Sequence, residues 1–96
     1  MKATLLNDQE IKSLQEKIPK WNLADKKISR QLQFSNFIDA FAFMTKVAII
    51  AEGMGHHPDW SNVYAKVTIE LSTHEVGGLS NLDFELASNI DKLIND

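Results

Sequence analysis

The spacing of apolar residues along the chain alternates between the period of a helix and the period of a strand. Residues 7–18 carry an apolar stripe at helical spacing; Asn7 can cap this segment, Glu10 can complete a capping box, and Pro19 ends it. Residues 21–34 switch to an alternation of apolar and polar positions around a polar turn, which predicts a β-hairpin. The first third of the chain is therefore expected to form a helix and two strands.

The middle of the chain has the strongest helical pattern. Ser35 is a candidate N-cap, and Gly53 and Gly55 are typical of a helix end. The apolar face between them is wide, because Ile49 and Ile50 broaden it. Packing in the core is the more ordinary explanation of such a face, and contact with another subunit is the alternative. The other positions on this face are Phe37, Ile38, Phe41, Met44, Val47, Ala48 and Ala51.

The last part of the chain returns to the strand period and then to a helix. Residues 67–72 alternate, so one face of this strand is expected to be buried. Ser80 and Asp83 can form the capping box of a final helix, and its apolar stripe consists of Leu82, Leu86, Ile90 and Leu93. The order of elements predicts an α+β fold, with three helices packed on one face of a four-stranded antiparallel sheet and residues 1–96 as a single domain.

Composition and charge narrow the classes of function. The net charge is -3 and the 10 Lys and Arg residues are scattered, which argues against nucleic-acid binding. The absence of cysteine excludes disulfides, thiolate nucleophiles and zinc–thiolate sites. The first residues show no apolar signal core, and the longest apolar run, residues 37–51, is too short for a membrane span. We therefore expect a cytoplasmic protein that binds neither nucleic acid nor membranes.

The histidines are the main candidates for chemistry. His56 and His57 follow the predicted end of the long helix, and His74 follows the last predicted strand. One histidine after a helix is more often explained by the negative end of the helix dipole. Three of them between residues 56 and 74 favour a function, because histidine is the side chain best suited to give and take protons near neutral pH.

The positions of these histidines require the chain to reverse. A straight strand over residues 59–73 would be about 50 Å long at ~3.3 Å per residue, with His57 and His74 at opposite ends of the molecule. A site shared within one chain therefore predicts a turn at residues 64–66 and a hairpin around it, unless a second chain supplies His74.

Two other interpretations use the same stretch of sequence. The histidines could bind a metal with Glu52 or Asp59, but neighbouring residues of an extended chain point apart and no zinc-motif spacing is present, so no metal is expected. Trp60 and Tyr64, close to the histidines in sequence, could form an apolar wall for a flat ring ligand, although packing of the hairpin explains them slightly better.

One spaced set of residues is specific enough to compare with a known family. The set is Glu52, His56, His57, Pro58, Tyr64, His74 and Asp83, with Asp59 and Trp60 beside it. It resembles the signature of the pterin-4a-carbinolamine dehydratases, and the similarity extends from Trp21 to the last helix. The first twenty residues match that family only in pattern.

The resemblance implies an α+β fold and a hydro-lyase reaction, in which 4a-hydroxytetrahydropterin loses water to give quinonoid dihydropterin during the recycling of tetrahydrobiopterin. No cofactor is needed. It implies catalytic roles for His56, His57 and His74, with His56 and His74 as the acid–base pair, in an order that is left open, and His57 helping to bind substrate. The substrate-binding residues it implies are Glu52, Pro58, Asp59 and Trp60. Asp83 is expected mainly as a helix-capping acid.

The resemblance also implies partners. A small-molecule pterin is the substrate, an aromatic amino acid hydroxylase is the expected client of the recycled pterin, and the protein is expected to form a homo-oligomer, either a dimer or a tetramer. Animal proteins that this chain resembles also act as dimerisation cofactors for a homeodomain transcription factor, through a surface of the long helix. A protein-interaction module is therefore the alternative function.

Overall fold

The computed structural model describes residues 2–94 of the chain. The four strands form one antiparallel sheet in the order β1-β2-β4-β3. The predicted α+β fold, with three helices and four antiparallel strands, is confirmed. The elements in chain order are α1 (Asp8–Gln15), β1 (Asn22–Ala24), β2 (Lys27–Gln33), α2 (Phe37–Met54), β3 (Asp59–Val63), β4 (Lys66–Leu71), a short 3₁₀ helix (His74–Val76) and α3 (Asn81–Lys92).

Two tight hairpins build the sheet. Strands β1 and β2 are joined by Asp25 and Lys26, which both have positive φ angles, as a type I′ turn requires. Strands β3 and β4 are joined at Tyr64, whose φ is also positive, so the predicted reversal of the chain near residue 65 is confirmed. Asp59, at the start of β3, is paired with Glu70, near the end of β4. The segments before β3 and after β4 therefore leave the sheet at the same end.

The core lies between one face of the sheet and helices α2 and α3. Alternate residues of β2 and β4 point into it, and each aliphatic side chain buried there stabilises the fold by about 1.5–3 kcal/mol. The buried sheet residues are Ile28, Leu32, Val67, Ile69 and Leu71, and the helices contribute Phe43, Val47, Ala51, Leu82, Leu86 and Ile90. This packing fixes the ends of α2, β4 and α3 relative to one another.

Helix α1 is shorter than predicted. Its capping box, formed by Asn7 and Glu10, is confirmed, but the helix ends at Gln15 rather than at Ile18. The next residues tighten into bonds between residues three apart, and the Ile18 amide donates to the Gln15 carbonyl at 3.1 Å. Pro19 explains the early end, because proline disfavours helical backbone in the residue before it.

Helix α2 differs from its prediction at its start and in its buried face. Asn36, not Ser35, is the N-cap, and its side-chain oxygen accepts a hydrogen bond from the Asp39 amide at 2.8 Å. The buried residues of α2 are Ala40, Phe43, Val47, Ala51 and Met54. The predicted core face was wrong for Phe37, Ile38, Phe41 and Ala48, which are exposed.

The reason for this error is that α2 is apolar on two sides, and only one of them faces the core. The second side is open to solvent, with Ile38 77% exposed. Despite this apolar character, no helix within residues 2–94 has the length and hydropathy needed to cross a membrane.

Candidate active site

The end of helix α2 positions the first two histidines. Gly55 adopts a left-handed conformation with a φ of 65°, and its amide donates to the Glu52 carbonyl at 3.1 Å. The His56 amide donates to the Ala51 carbonyl at 3.0 Å, so the two bonds form a Schellman motif. The chain leaves the helix abruptly, and His56 turns into the protein, where it is 8% exposed, while His57 remains in solvent.

The ring of His56 contacts a buried carboxylate. His56 Nε2 lies 2.6 Å from Asp83 Oδ1, and Asp83, on the first turn of α3, is completely buried. The other carboxylate oxygen, Oδ2, accepts from the Thr73 hydroxyl at 2.8 Å and from the Ser80 amide at 2.9 Å. Because these donors converge on it, Asp83 acts as an ionised acceptor, and the hydrogen of His56 lies on Nε2. Nδ1 is then the ring nitrogen that can accept a hydrogen.

A second contact between a histidine and a carboxylate links His57 to helix α2. His57 Nε2 lies 2.7 Å from Glu52 Oε1, and both side chains are exposed. An exposed pair of this kind contributes little to stability, because water screens it and both side chains lose freedom. The contact does orient His57 and Glu52 together, at the edge of the segment that carries His56.

His74 begins the short 3₁₀ helix and differs from the other two histidines. Gly77 closes this turn in a left-handed conformation, and its amide donates to the His74 carbonyl at 3.0 Å. The side chain is exposed, and within residues 2–94 it makes no hydrogen bond or ion pair. It borders a cavity of about 220 Å³, which is also lined by Asp25, Lys26, Lys27, Ser72, Thr73, Gly77 and Gly78.

The fold brings the three histidines to one end of the sheet. The β3–β4 hairpin places His57 and His74 at the same end of the sheet. Asp83 connects His56 to the segment that carries His74. One Asp83 oxygen binds His56, and the other binds Thr73, the residue immediately before His74. His56 and His57 do not border the cavity beside His74. The gathering of all three rings around one ligand therefore stays a prediction.

The predicted substrate-binding residues near β3 differ in how far they are exposed to solvent. Pro58 is half-buried, Asp59 is exposed at the start of β3, and Trp60 packs against the core with part of its surface accessible. Tyr64 lies at the turn, on the far side from His57 of the five-residue strand β3, which is itself about 16 Å long at ~3.3 Å per residue. Tyr64 is 70% exposed, so packing in the hairpin does not explain it, and its interpretation as a wall for a flat ring ligand stays a prediction.

The carboxylates near the histidines form separate pairs. Glu52 is turned toward His57, and Asp83 toward His56. In the part of the chain that the structure describes, no three His, Asp or Glu side chains are grouped so that they could hold a metal ion. The arrangement provides hydrogen-bonded imidazoles, which are suited to proton transfer.

Sequence reasoning missed Thr73, gave Ser80 only its capping role, and expected Asp83 mainly as a capping acid. Asp83 does complete the capping box of α3, and it binds His56 as well. A signal for Thr73 was present: alternate residues of β4 point into the core, and Thr73 continues the same alternation past the end of the strand. A polar residue at a core position needs buried partners, and these are Ser80 and Asp83.

Comparison with known proteins places this chain in a family. The family model for pterin 4 alpha carbinolamine dehydratase matches residues 4–93. Two curated relatives from Prochlorococcus marinus, each named "putative pterin-4-alpha-carbinolamine dehydratase", are 57% identical over 93 residues in strain MIT 9313 and 54% identical over 95 residues in strain AS9601. These alignments cover 97% and 99%, respectively, of this chain and of the relative.

A solved structure agrees with the sequence relatives. The crystal structure of a transcriptional coactivator/pterin dehydratase from Brucella melitensis superposes with a TM-score of 0.91 at 31% identity. The superposition covers 96% of this chain and 100% of that one. The chain therefore belongs to the pterin-4-alpha-carbinolamine dehydratase family.

Proposed function

We propose that this protein dehydrates 4a-hydroxytetrahydropterins to quinonoid dihydropterins, using His56 and His74 as its acid–base pair. Membership of the family supports the substrate and the reaction. The observation that carries the catalytic assignment is the Asp83 carboxylate, which binds His56 through one oxygen and the neighbour of His74 through the other.

The reaction needs two proton transfers and no electron transfer. The bond between C4a and the hydroxyl oxygen breaks while the lone pair of the adjacent ring nitrogen forms a carbon–nitrogen double bond. A proton must reach the leaving oxygen, and the proton on that nitrogen must depart, so that water is released. Because no electrons change hands, the chemistry requires no redox cofactor. Two imidazoles that work near neutral pH suit the two transfers.

The two histidines would contribute in different ways. His56 is held through Nε2, so Nδ1 is its reacting atom, and the Asp83 carboxylate balances the positive charge when the ring holds two protons. His74 is exposed and free to exchange protons with substrate or water. The assignment of acid and base between them is left open. His57 and Glu52, with Pro58, Asp59 and Trp60, are proposed to contact the substrate.

The wider setting follows from the same proposal. We place the protein in the cytoplasm, as a single domain over residues 1–96, where it would regenerate tetrahydrobiopterin for an aromatic amino acid hydroxylase. Scattered positive charge and a net charge of -3 argue against a nucleic-acid partner.

The direct test is to supply a 4a-hydroxytetrahydropterin and follow the decay of its absorbance by stopped flow. We expect the folded protein to accelerate dehydration by at least 10²-fold over the spontaneous reaction, the lower end of what positioned acid–base groups contribute. Free imidazole at three times the protein concentration controls for general buffer catalysis. A folded protein that leaves the spontaneous rate unchanged would refute the proposal.

A second candidate function, protein interaction through helix α2, is supported by the exposed apolar side of that helix. This side consists of Phe37, Ile38, Phe41 and Ile49. The Brucella melitensis structure is titled a transcriptional coactivator as well as a pterin dehydratase. We propose that a second copy of this chain covers the surface in a homo-oligomer, because a patch of this kind on a small domain marks an interface.

Sedimentation velocity tests this surface. Ile38→Asp is expected to reduce the wild-type oligomer to a smaller species, since an unpaired charge in an apolar interface is costly. Val63→Asp is the matched control, because Val63 is an exposed aliphatic residue on β3, away from α2. A monomeric wild type, or an oligomer that Ile38→Asp leaves intact, would contradict the assignment of α2 as the interface.

A further inference from the structure

Two buried hydroxyl groups lie behind the contact between His56 and Asp83. Thr73 is 1% exposed and Ser80 is completely buried. Thr73 Oγ1 lies 2.6 Å from Ser80 Oγ and 2.8 Å from Asp83 Oδ2. Because water does not reach these atoms, their hydrogen bonds have to be satisfied within the protein.

The direction of these hydrogen bonds is fixed. A hydroxyl has one hydrogen, and an ionised carboxylate only accepts, so Thr73 donates to Asp83. Ser80 must therefore donate to Thr73. Ser80 Oγ accepts in turn from the Leu82 amide at 3.2 Å, which completes its bonding. The result is a one-way chain from Ser80 through Thr73 to Asp83.

This chain holds the carboxylate in one orientation. Asp83 Oδ2 is bound by the Thr73 hydroxyl and by the Ser80 amide, which leaves Oδ1 for His56. Without the Thr73 hydroxyl, Oδ2 keeps only the amide, and the carboxylate gains freedom to rotate. His56 would then lose the fixed acceptor that keeps its hydrogen on Nε2.

The main chain of Thr73 has a separate contact with the loop that carries His74. Its amide donates to the Gly78 carbonyl at 2.9 Å, and its carbonyl accepts from the Val76 amide at 3.2 Å. These bonds close the loop over residues 74–77. Thr73 thus lies at the base of the segment from which His74 projects, while its side chain reaches the partner of His56.

We propose that Thr73 is a positioning residue for both acid–base histidines: its hydroxyl sets the orientation and tautomer of His56 through Asp83, and its main chain anchors the His74 loop. The kinetic part of this inference rests on the proposed dehydratase function, whereas the tautomer of His56 does not. Substitution of the side chain isolates the His56 part, because the main-chain bonds remain.

Thr73→Val is the test, since valine keeps the shape of threonine and removes the hydroxyl. Thr73→Ser keeps the hydroxyl and serves as the conservative variant. Thr68→Val is the matched control, because Thr68 lies on β4 and points to the opposite sheet face from the buried residues of that strand. The tautomer of His56 is read from two-bond ¹H–¹⁵N correlations of the imidazole, without substrate, and kcat and KM are measured on folded protein.

In wild type, Thr73→Ser and Thr68→Val we expect a single His56 tautomer with the hydrogen on Nε2 and kcat values within about threefold of one another. In Thr73→Val we expect mixed tautomers and a kcat about 10–100-fold lower, with KM changed less than about twofold, because a lost hydrogen bond to a buried charge is large on this scale. A wild-type tautomer in folded Thr73→Val would overturn the proposal. Equal kinetic losses in Thr73→Val and Thr73→Ser would overturn it as well. If wild type shows no dehydratase activity, the proposed function fails, and the tautomer comparison still decides the positioning role.

Discussion

Replacing His74 with alanine is expected to lower kcat by about 10²–10⁴-fold and to change the free energy of unfolding by less than about 0.5 kcal/mol. The kinetic loss follows from removing one of two proposed proton-transfer groups. Stability should not change, because the His74 side chain is exposed and, within residues 2–94, contributes no hydrogen bond or ion pair. Dehydration kinetics and urea unfolding of the same preparation measure both quantities.

Glu75→Ala is the matched control for this prediction. Glu75 is the next residue in the same 3₁₀ helix and is also exposed, so the substitution disturbs the same loop without removing an imidazole. We expect it to keep kcat within about threefold of wild type, as is usual for surface substitutions. Equal activity of His74→Ala and wild type would exclude His74 from the chemistry, and an equal loss in Glu75→Ala would assign the effect to the loop.

The contrast between His74 and His56 shows what the sequence could and could not predict about the site. Both were found by residue type and by the need for a chain reversal, which the β3–β4 hairpin provides. Their different environments were not predictable, because Asp83 approaches His56 from a helix 27 positions further along the chain. The spacing of residues within a helix or strand does not predict a contact between residues so far apart in sequence.

For the fold, too, the sequence predicted the local features and not the contacts between distant segments. The capping boxes at Asn7 and Ser80 and the alternation of β4 are local signals, and each of them is present in the structure. The position of β4 between β2 and β3 depends on pairing between distant segments, which alternation alone does not specify. The predicted buried face of α2 was wrong at Phe37 and Phe41, because this helix is apolar on two sides and spacing alone does not specify which side packs in the core.

Asp83→Asn is expected to damage both activity and stability, and the reason lies in the geometry of its donors. Asparagine keeps one oxygen and replaces the other with an NH₂ group. The Ser80 amide cannot reverse its polarity, so the remaining oxygen must face Ser80 and Thr73, and the NH₂ group must face His56. His56 would then accept through Nε2 and carry its hydrogen on Nδ1, the nitrogen proposed to react.

We therefore expect Asp83→Asn to lower kcat by about 10²–10⁴-fold through the reversed tautomer. The free energy of unfolding should fall by about 2–4 kcal/mol, because a buried charge-assisted network is lost. A domain of ordinary stability remains mostly folded after such a loss. The measurements are kcat per folded molecule, chemical denaturation, and the ¹⁵N shifts of the His56 ring.

Asp91→Asn separates the two effects. Asp91 lies on the same helix and accepts from Arg30 at 2.6 Å and from Trp21 at 2.8 Å, at the other end of α3 from the histidines. Its replacement should cost about 1–3 kcal/mol of stability, since it too removes a partly buried acceptor of a charged donor, and should leave kcat per folded molecule unchanged. If Asp91→Asn lowers kcat as far as Asp83→Asn does, the loss in Asp83→Asn reflects instability. If Asp83→Asn keeps a wild-type kcat, the carboxylate does not control His56, and the proposed catalytic pair loses its main support.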